Sequence, residues 1–460
     1  MPDAAPYFPF ELNRGQAEAF DALCAFAQQH TDQVFILKGY AGTGKTTLMK
    51  GLIGYLREQE IRYELLASTG RAAKILSEKT GVLARTIHSC IYVFAGLGDK
   101  AVFILKRAVP GSRMIYIVDE SSMISDQPVP PGSFAEFGDG RLLQNLLEYD
   151  PEGRFIFVGD PCQLPPVNQR ESPALNPASY AAYPGKPGVR EAELTEVARQ
   201  AAGSGILQVA SRLRALVQQP ETSKWPSLPV HAAPHIALHR DPEALLGAYL
   251  RARHPEDLSR AILICHSNQQ RMQLNARIRH SLGRTGPDPV PGDVLMVTQN
   301  TGAFGLHNGD LLRFLRFTGR TDYKAGLVFA ELEVQPEQGE PQTVLCFLDL
   351  IHSGNLNLST NQHQQLMIDF KARMQAQRIK EGTTEYNDQL RSDPWLNAVK
   401  AVYGFAVTCH KCQGGEWQEA FIWMDNKIAG MPRPNVYQWW YTAMTRAVQR
   451  VHLEALWFVR

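Results

Sequence analysis

Eight consecutive residues, Gly39-Tyr40-Ala41-Gly42-Thr43-Gly44-Lys45-Thr46, constrain this chain more than any other stretch. They follow an apolar, β-prone run at 34–38 and precede a helical pattern over 45–57, so the local order is strand, glycine-rich loop, helix. A loop of this kind turns its backbone N–H groups inward, and the start of the helix adds positive potential; together they cradle phosphates. Lys45 is placed to reach the β- and γ-phosphates of a nucleotide, and the Thr46 hydroxyl to ligate Mg²⁺. Gly42, Thr43, Gly44, Lys45, Thr46 and the adjoining Thr47 form the candidate nucleotide-binding set.

Short apolar runs at 64–67, 114–118 and 155–158 repeat the same buried-strand pattern, separated by helical stretches. That alternation predicts a parallel sheet with helices on both faces. A second series, at 261–265, 294–297, 404–408, 420–424 and 451–456, predicts a second α/β core. Between them the residues at 311–317, 326–334 and 343–350 are β-rich and joined by polar turns, which reads as a small antiparallel barrel. A helical stripe over 359–380 with Met367, Phe370 and Met374 reads as core packing, and 128–140 and 169–189 read as surface loops.

Two further runs carry chemistry. The run at 115–118 leads into Asp119 and Glu120, and acidic residues after a buried strand lie in the crevice where such sheets bind ligands. Asp119 is placed to hold Mg²⁺ through water, and Glu120 to polarise an attacking water, which argues for hydrolysis. The run at 155–158 delivers Gly159-Asp160-Pro161-Cys162-Gln163-Leu164-Pro165-Pro166-Val167, where the Gln163 amide is placed to contact a γ-phosphate or its attacking water.

Composition narrows the class. Hydrophobic residues make up 44% and charged residues 20% of 460 positions, which excludes wholesale disorder and suits about two to four packed domains. Forty-seven Lys and Arg stand against 46 Asp and Glu, so blanket attraction to polyanions is excluded and any nucleic-acid site needs local charge segregation. Seven scattered cysteines do not suit a secreted disulfide framework. The start carries neither the basic segment nor the apolar run of a signal peptide, and the expectation is a soluble cytoplasmic protein.

With these segments in hand, the chain resembles the superfamily 1B DNA helicases of the RecD-like and Dda-like branch, collinearly and over nearly its whole length. Residues 12–16 match that family's adenine-reading segment, which implies Gln16 as the base-contacting amide. Residues 66–73 and 86–89 look like the two segments that grip single-stranded DNA in the first core, implying Thr69, Gly70, Arg71 and His88. Residues 194–200 look like the segment whose arginine, here Arg199, meets the γ-phosphate across the cleft. Residues 408–416 and 441–447 resemble the last two helicase segments, implying Thr408 and His410 near DNA, Glu416 near the ribose and Arg446 as a second arginine on the phosphates. Ser68 departs from the family's Pro, and Cys409 and Cys412 replace an aliphatic residue and Ser; zinc needs four ligands, and only His410 offers a local third.

The resemblance implies an α/β fold of two RecA-like parallel-sheet cores with an inserted β-hairpin pin and an inserted small β-barrel domain. The expected division is 1–88 and 113–195 for the first core, 89–112 for the pin, 196–305 and 399–460 for the second core, and 306–398 for the barrel with a helical arm. In the hairpin, Phe94 and Phe103 have two open uses: stacking on bases, or covering the hairpin's own apolar face. Lys371, Arg373, Arg378 and Lys380 read as a solvated basic face, with DNA contact as the lesser alternative. The implied function is ATP- and Mg²⁺-dependent DNA unwinding with 5′ to 3′ translocation, by a monomer acting on single-stranded DNA and single-strand/duplex junctions, without a membrane. A single-strand-binding or replication and repair partner fits that role. Two alternatives stay open, a translocase or clamp that remodels protein-DNA complexes without separating strands, and an RNA helicase.

Overall fold

The parallel sheet that carries the phosphate loop orders its strands Ala84–Thr86, Tyr63–Ala67, Ile115–Asp119, Arg154–Gly159, Val34–Gly39 and Val189–Leu194. This computed structural model describes residues 4–29, 31–97, 101–128, 135–197, 204–230, 233–301, 304–337 and 339–460. Every pairing in the sheet is parallel, with Val34 opposite Phe155 on one side and Val189 on the other. Val34 through Leu37 are fully buried because helices cover both faces, which is why the run shows no polar alternation. The parallel register puts the ends of three strands, at Gly39, Asp119 and Gly159, on one carboxyl edge, where the crevice forms.

Local signals set the helices. Asn13 accepts from the Gln16 N–H at 2.8 Å while the Gln16 side chain accepts from the Asn13 N–H at 3.1 Å, a capping box that starts helix Arg14–Gln28. Ser267 with Gln270 and Ser359 with Gln362 repeat the device for Asn268–Ser281 and Thr360–Ala376. At the other end of Arg14–Gln28, Arg154 reaches in from its strand and donates to the carbonyls of Phe26 (2.6 Å), Gln29 (2.7 Å) and Ala27 (3.0 Å). A cation at a helix C-terminus satisfies carbonyls that have no intrahelical partner.

The second parallel sheet runs Ile236–His239, Ala447–Glu454, Trp417–Ile422, Ala261–Cys265 and Ala406–Thr408. Val294–Val297, expected in that core, pairs antiparallel with Leu311–Lys324 and with Ala401–Tyr403 instead. It thereby joins a five-stranded sheet with Leu327–Pro336 and Gln342–Phe347. A four-residue apolar run is read equally well by either kind of sheet, so periodicity alone could not separate them. Two members of the basic stretch are paired: Lys371 with Glu381 at 3.0 Å, and Arg373 with Asp369 at 2.8 Å and Asp393 at 2.5 Å.

The hairpin Tyr92–Leu97 and Ala101–Leu105 has Phe94 opposite Phe103, and Ala135–Phe137, within a stretch expected to be a loop, adds a parallel third strand. Phe103 stacks on Phe137 at 4.4 Å and meets Phe94 at 5.4 Å, while Phe94 packs on the cluster of Met367, Phe370, Met374, Tyr386 and Leu390. The hairpin's outward face carries Val93, Val102 and Ile104. Among the described residues, no helix is long and apolar enough to cross a membrane.

Replacing Arg154 by Met removes three hydrogen bonds from a buried helix end while keeping the packed stem. The expected loss is about 1–3 kcal/mol of unfolding free energy, read as a lowered urea midpoint. An unchanged midpoint would show that the helix end does not need this cation.

Candidate nucleotide cleft and a second cavity

The phosphate loop closes on itself through hydrogen bonds that glycine makes available. Gly42 and Gly44 sit at φ +76° and +89°, in the left-handed region. Lys45 Nζ donates to the Gly39 carbonyl at 2.6 Å and the Tyr40 carbonyl at 3.2 Å, oxygens that phosphate oxygens would replace. Thr43 is buried, its hydroxyl on the Tyr40 carbonyl at 2.8 Å and its own carbonyl taken by Gln16 Nε2 at 3.0 Å. Gln16 was expected to read a base edge, but both ends of its amide are engaged inside the protein, one in the capping box and one under the loop.

A cleft of about 560 Å³ brings residues of both cores together. Gly42, Gly44, Lys45, Thr46, Thr47, Asp119, Glu120 and Gln163 line it from the first, and Glu416 and Arg446 from the second. Burial first, and then the neighbouring Glu120, holds the Asp119 carboxyl up at about 7, against the pull of Lys45 and Lys79. The Gln163 Oε1 is buried without a partner. An orphaned acceptor, a lysine resting on its own loop's carbonyls and a carboxyl beside it fit a nucleotide triphosphate with a divalent cation. Arg446 is buried, its guanidinium held at the cleft by the carbonyls of Thr442 (3.0 Å) and Gly415 (3.1 Å) and by the Thr445 hydroxyl (3.2 Å). Glu416 pairs across the cleft with Lys79 at 3.3 Å, both side chains exposed. Arg199 lies outside the described residues.

The contact between the cores centres on Tyr441, the first residue of the 441–447 segment, to which the sequence pattern gives no role. Tyr441 donates its hydroxyl proton to the fully buried Asp160 carboxylate at 2.5 Å and accepts from the Ala41 N–H of the phosphate loop at 2.8 Å. Beside it Thr442 Oγ1 accepts from the Leu164 N–H at 2.9 Å, and Gln413 Nε2 donates to the Leu164 carbonyl at 3.1 Å. The loop that holds Gln163 is thus gripped from the second core at both backbone groups of one residue, Leu164. Burial pushes the Asp160 carboxyl up, and nearby Lys45 opposes it.

A second cavity, of about 690 Å³, lies between the hairpin and the antiparallel sheet. His88, Phe94 and Phe103 line it together with Tyr92 and Phe137. The other expected DNA contacts are elsewhere. Thr69 caps helix Gly70–Thr80 through the Ala72 N–H at 3.2 Å, and Gly70 packs so closely on His307 that a Cβ there would meet its ring at 2.2 Å. Arg71 is buried between three bodies: it pairs with Glu337 at 2.8 Å, donates to the Gly309 carbonyl at 3.3 Å and lies over the Trp417 ring at 4.5 Å. Thr408 is buried at the start of the short helix Cys409–Cys412, and burial lowers the His410 imidazole there, with His266 and Lys411 adding to it. Cys409 and Cys412 are both free thiols, and among the described residues no cluster of three or more His, Cys, Asp or Glu could hold a metal.

Two family models match parts of this chain. The AAA domain family matches residues 11–221, and the UvrD-like helicase C-terminal domain matches residues 403–453. An ATP-dependent RecD2 DNA helicase of Deinococcus radiodurans is 27% identical over 441 residues, covering 95% of this chain and 48% of its own. The ATP-dependent DNA helicase dda of Enterobacteria phage T4 is 27% identical over 297 residues, covering 63% of this chain and 61% of its own. The chain therefore spans about half to three fifths of the length of these relatives. Among solved structures, a Pif1 helicase from Bacteroides in complex with ADP-AlF3 and ssDNA superposes over 98% of this chain and 94% of its own. Its identity is 16% and its TM-score 0.47, too distant to transfer any residue.

Tyr441→Phe keeps the ring and removes the hydroxyl, leaving Asp160 one donor fewer and the Ala41 N–H without an acceptor. The expected cost is about 1–3 kcal/mol of stability, seen as a lowered thermal midpoint; an unchanged midpoint would exclude this bridge as a contributor.

Two imidazoles on the second cavity set an acid limit. Burial holds His88 at about 4, and burial together with Lys400 holds His363 at about 4, against an ordinary 6.5. The unfolded chain then binds the extra protons between those values. The stability they hold is complete above about pH 6.5 and is lost as pH falls toward 4, on the order of 1–2 kcal/mol each by pH 5. Urea titrations at pH 7 and 5 measure it; His88→Gln and His363→Gln are each expected to flatten the difference, and variants with the full difference would refute the assignment.

Proposed function

We propose that this chain is a helicase of the superfamily 1B kind, RecD-like and Dda-like branch: an ATP-dependent DNA helicase that translocates 5′ to 3′ on single-stranded DNA and unwinds duplexes. The observation that supports this reading is the shared cleft, where Lys45 of one core and Arg446 of the other line the same space with Asp119, Glu120 and Gln163. A cation from each side makes charge stabilisation in the transition state conditional on the position of the cores, which couples hydrolysis to motion.

The residues divide the work. Lys45 exchanges its two loop carbonyls for phosphate oxygens, and the phosphate loop's N–H groups surround them. Mg²⁺, when bound, neutralises phosphate charge; Thr46 and Asp119 would hold it. Glu120 takes the proton of the attacking water, and the unpartnered Gln163 Oε1 orients that water. Arg446 meets the phosphates from the second core, and the resemblance gives Arg199 the same role when the cores close. Asp160 and Tyr441 pass the position of the Gln163 loop to the second core. Thr69, His88 and His410 meet the strand, with Gly70 and Thr408 buried behind them, and the hairpin with Phe94 and Phe103 parts the duplex as a monomer advances.

Strand displacement on duplexes with a 5′ or a 3′ single-stranded tail tests the reading. Unwinding is expected from the 5′ tail only, with Lys45→Ala reducing ATP hydrolysis at least a hundredfold. Phe94→Leu with Phe103→Leu keeps apolar volume and is expected to abolish unwinding while sparing DNA-stimulated hydrolysis. Activity from the 3′ tail alone overturns the polarity, and undiminished unwinding by the double variant overturns the pin.

A further inference from the structure

The phosphate loop carries a tyrosine where its pattern asks for no particular residue. Between Gly39 and Gly44 the motif leaves its positions open, and Tyr40 is the first of them. Its side chain is nonetheless buried, in the apolar cluster that contains Ile206, Val209 and Leu213 of helix Gly205–Gln218 and Trp440 of the second core. The phenol is engaged on every side. It donates to the Glu193 carboxylate, near the end of strand Val189–Leu194, and accepts from Gln218 Nε2 at 2.9 Å. The Arg214 guanidinium lies 4.4 Å from the ring centroid and donates to the Thr195 carbonyl at 3.0 Å. Burial, and then the Glu193 carboxylate, push the phenol's pKa above its ordinary value, so it remains a donor at neutral pH. Glu193 and Thr195 stand where the chain leaves the first core, and Arg214 and Gln218 on the helix with which it enters the second. Tyr40 is thus held from both flanks of the connecting segment.

What holds the phenol also bears on Lys45. The Tyr40 carbonyl accepts from Thr43 Oγ1 at 2.8 Å and from Lys45 Nζ at 3.2 Å, so the orientation of that peptide and the seat of the ammonium are set together. From Gln218 to Lys45 the path is a hydrogen bond, the Tyr40 residue itself and a second hydrogen bond. The same helix abuts the loop again at Gly42, where a Cβ would meet Leu207 at 3.0 Å. A loop already held in one arrangement has little ordering left to undergo when a ligand arrives; a loop that samples several binds with an affinity reduced by the competent fraction.

We propose that Tyr40 is a positioning residue, through which helix Gly205–Gln218 holds the phosphate loop in the arrangement that takes a nucleotide. The proposal deepens the function proposed above and rests on its nucleotide site. It is separate from the Tyr441 bridge, which comes from helix Asn435–Met444 and reaches the Ala41 N–H and Asp160. The Tyr40 hydroxyl is spent on Glu193 and Gln218, so its effect on bound substrate and on the transition state is the same. Its loss therefore raises KM rather than lowering kcat.

Titration with a fluorescent N-methylanthraniloyl ADP, together with steady-state ATP hydrolysis, tests it on the full chain. Gln218→Met removes the donor at the helix's exposed last residue and keeps the stem; Tyr40→Phe removes the hydroxyl and keeps the ring beside Arg214. Each is expected to weaken binding of the ADP analogue and to raise the KM for ATP, about five- to tenfold. The kcat of Gln218→Met is expected to stay within about twofold of wild type. The double variant is expected to bind no more weakly than Tyr40→Phe alone, because one hydroxyl carries both effects. A merely structural role would instead lower the thermal midpoint and the active fraction with KM unmoved. Wild-type affinity and KM in Gln218→Met overturn the inference, whether or not Tyr40→Phe folds, as does a double variant weakened by the product of the single effects. A wild-type protein that neither binds the analogue nor hydrolyses ATP overturns the nucleotide site beneath it.

Discussion

One hydroxyl group joins the two cores at their most sensitive point. Tyr441 gives its proton to a carboxylate with no solvent exposure and takes one hydrogen bond from the phosphate loop, so three chain segments meet within a few ångströms. Asp160 follows the strand beside the one that carries the phosphate loop, and a parallel register puts both ends on the same edge. A buried carboxylate there is tolerable only while its donors remain, and one of those donors belongs to the other core. The seating of the Gln163 loop and the approach of Arg446 are therefore not independent events.

Much of the nucleotide cleft was legible in the sequence because its chemistry is local. A strand, a glycine loop and a helix are contiguous, and the residues from Gly42 to Thr47 need little beyond their neighbours to take their positions. Asp119 and Glu120 were legible for the same reason, at the very end of a buried strand, and Gln163 lies four residues beyond the end of another. Gln16 behaved differently because its spacing from Asn13 also satisfies a helix start, and the amide was taken up there. Tyr441 could not be assigned from the sequence, because its partner at Ala41 is 400 positions away. The same limit applies to Val294–Val297, a strand whose apolar run suits either sheet until Leu311–Lys324 claims it.

Charge is distributed by compartment rather than in total. A net charge of +1 conceals one cleft where carboxylates face Lys45 and Arg446, and one cavity without any acid among its described lining residues. Between them, aromatic contacts organise the hairpin: Phe103 lies flat on Phe137 and Phe94 turns toward the helical arm. The outward residues Val93, Val102 and Ile104 are aliphatic, and the rings of Phe94 and Phe103 line the second cavity.

Arg71 serves three masters at once, a carboxylate and a carbonyl on the antiparallel unit and an indole on the second core, all from a helix of the first. A single guanidinium cannot follow three bodies that separate in different directions. Any widening of the gap must release either the ion pair or the ring face first, and the two releases differ in strength and in sensitivity to salt. Parting of the lobes should then proceed in discrete clicks, with this side chain acting as the detent between them.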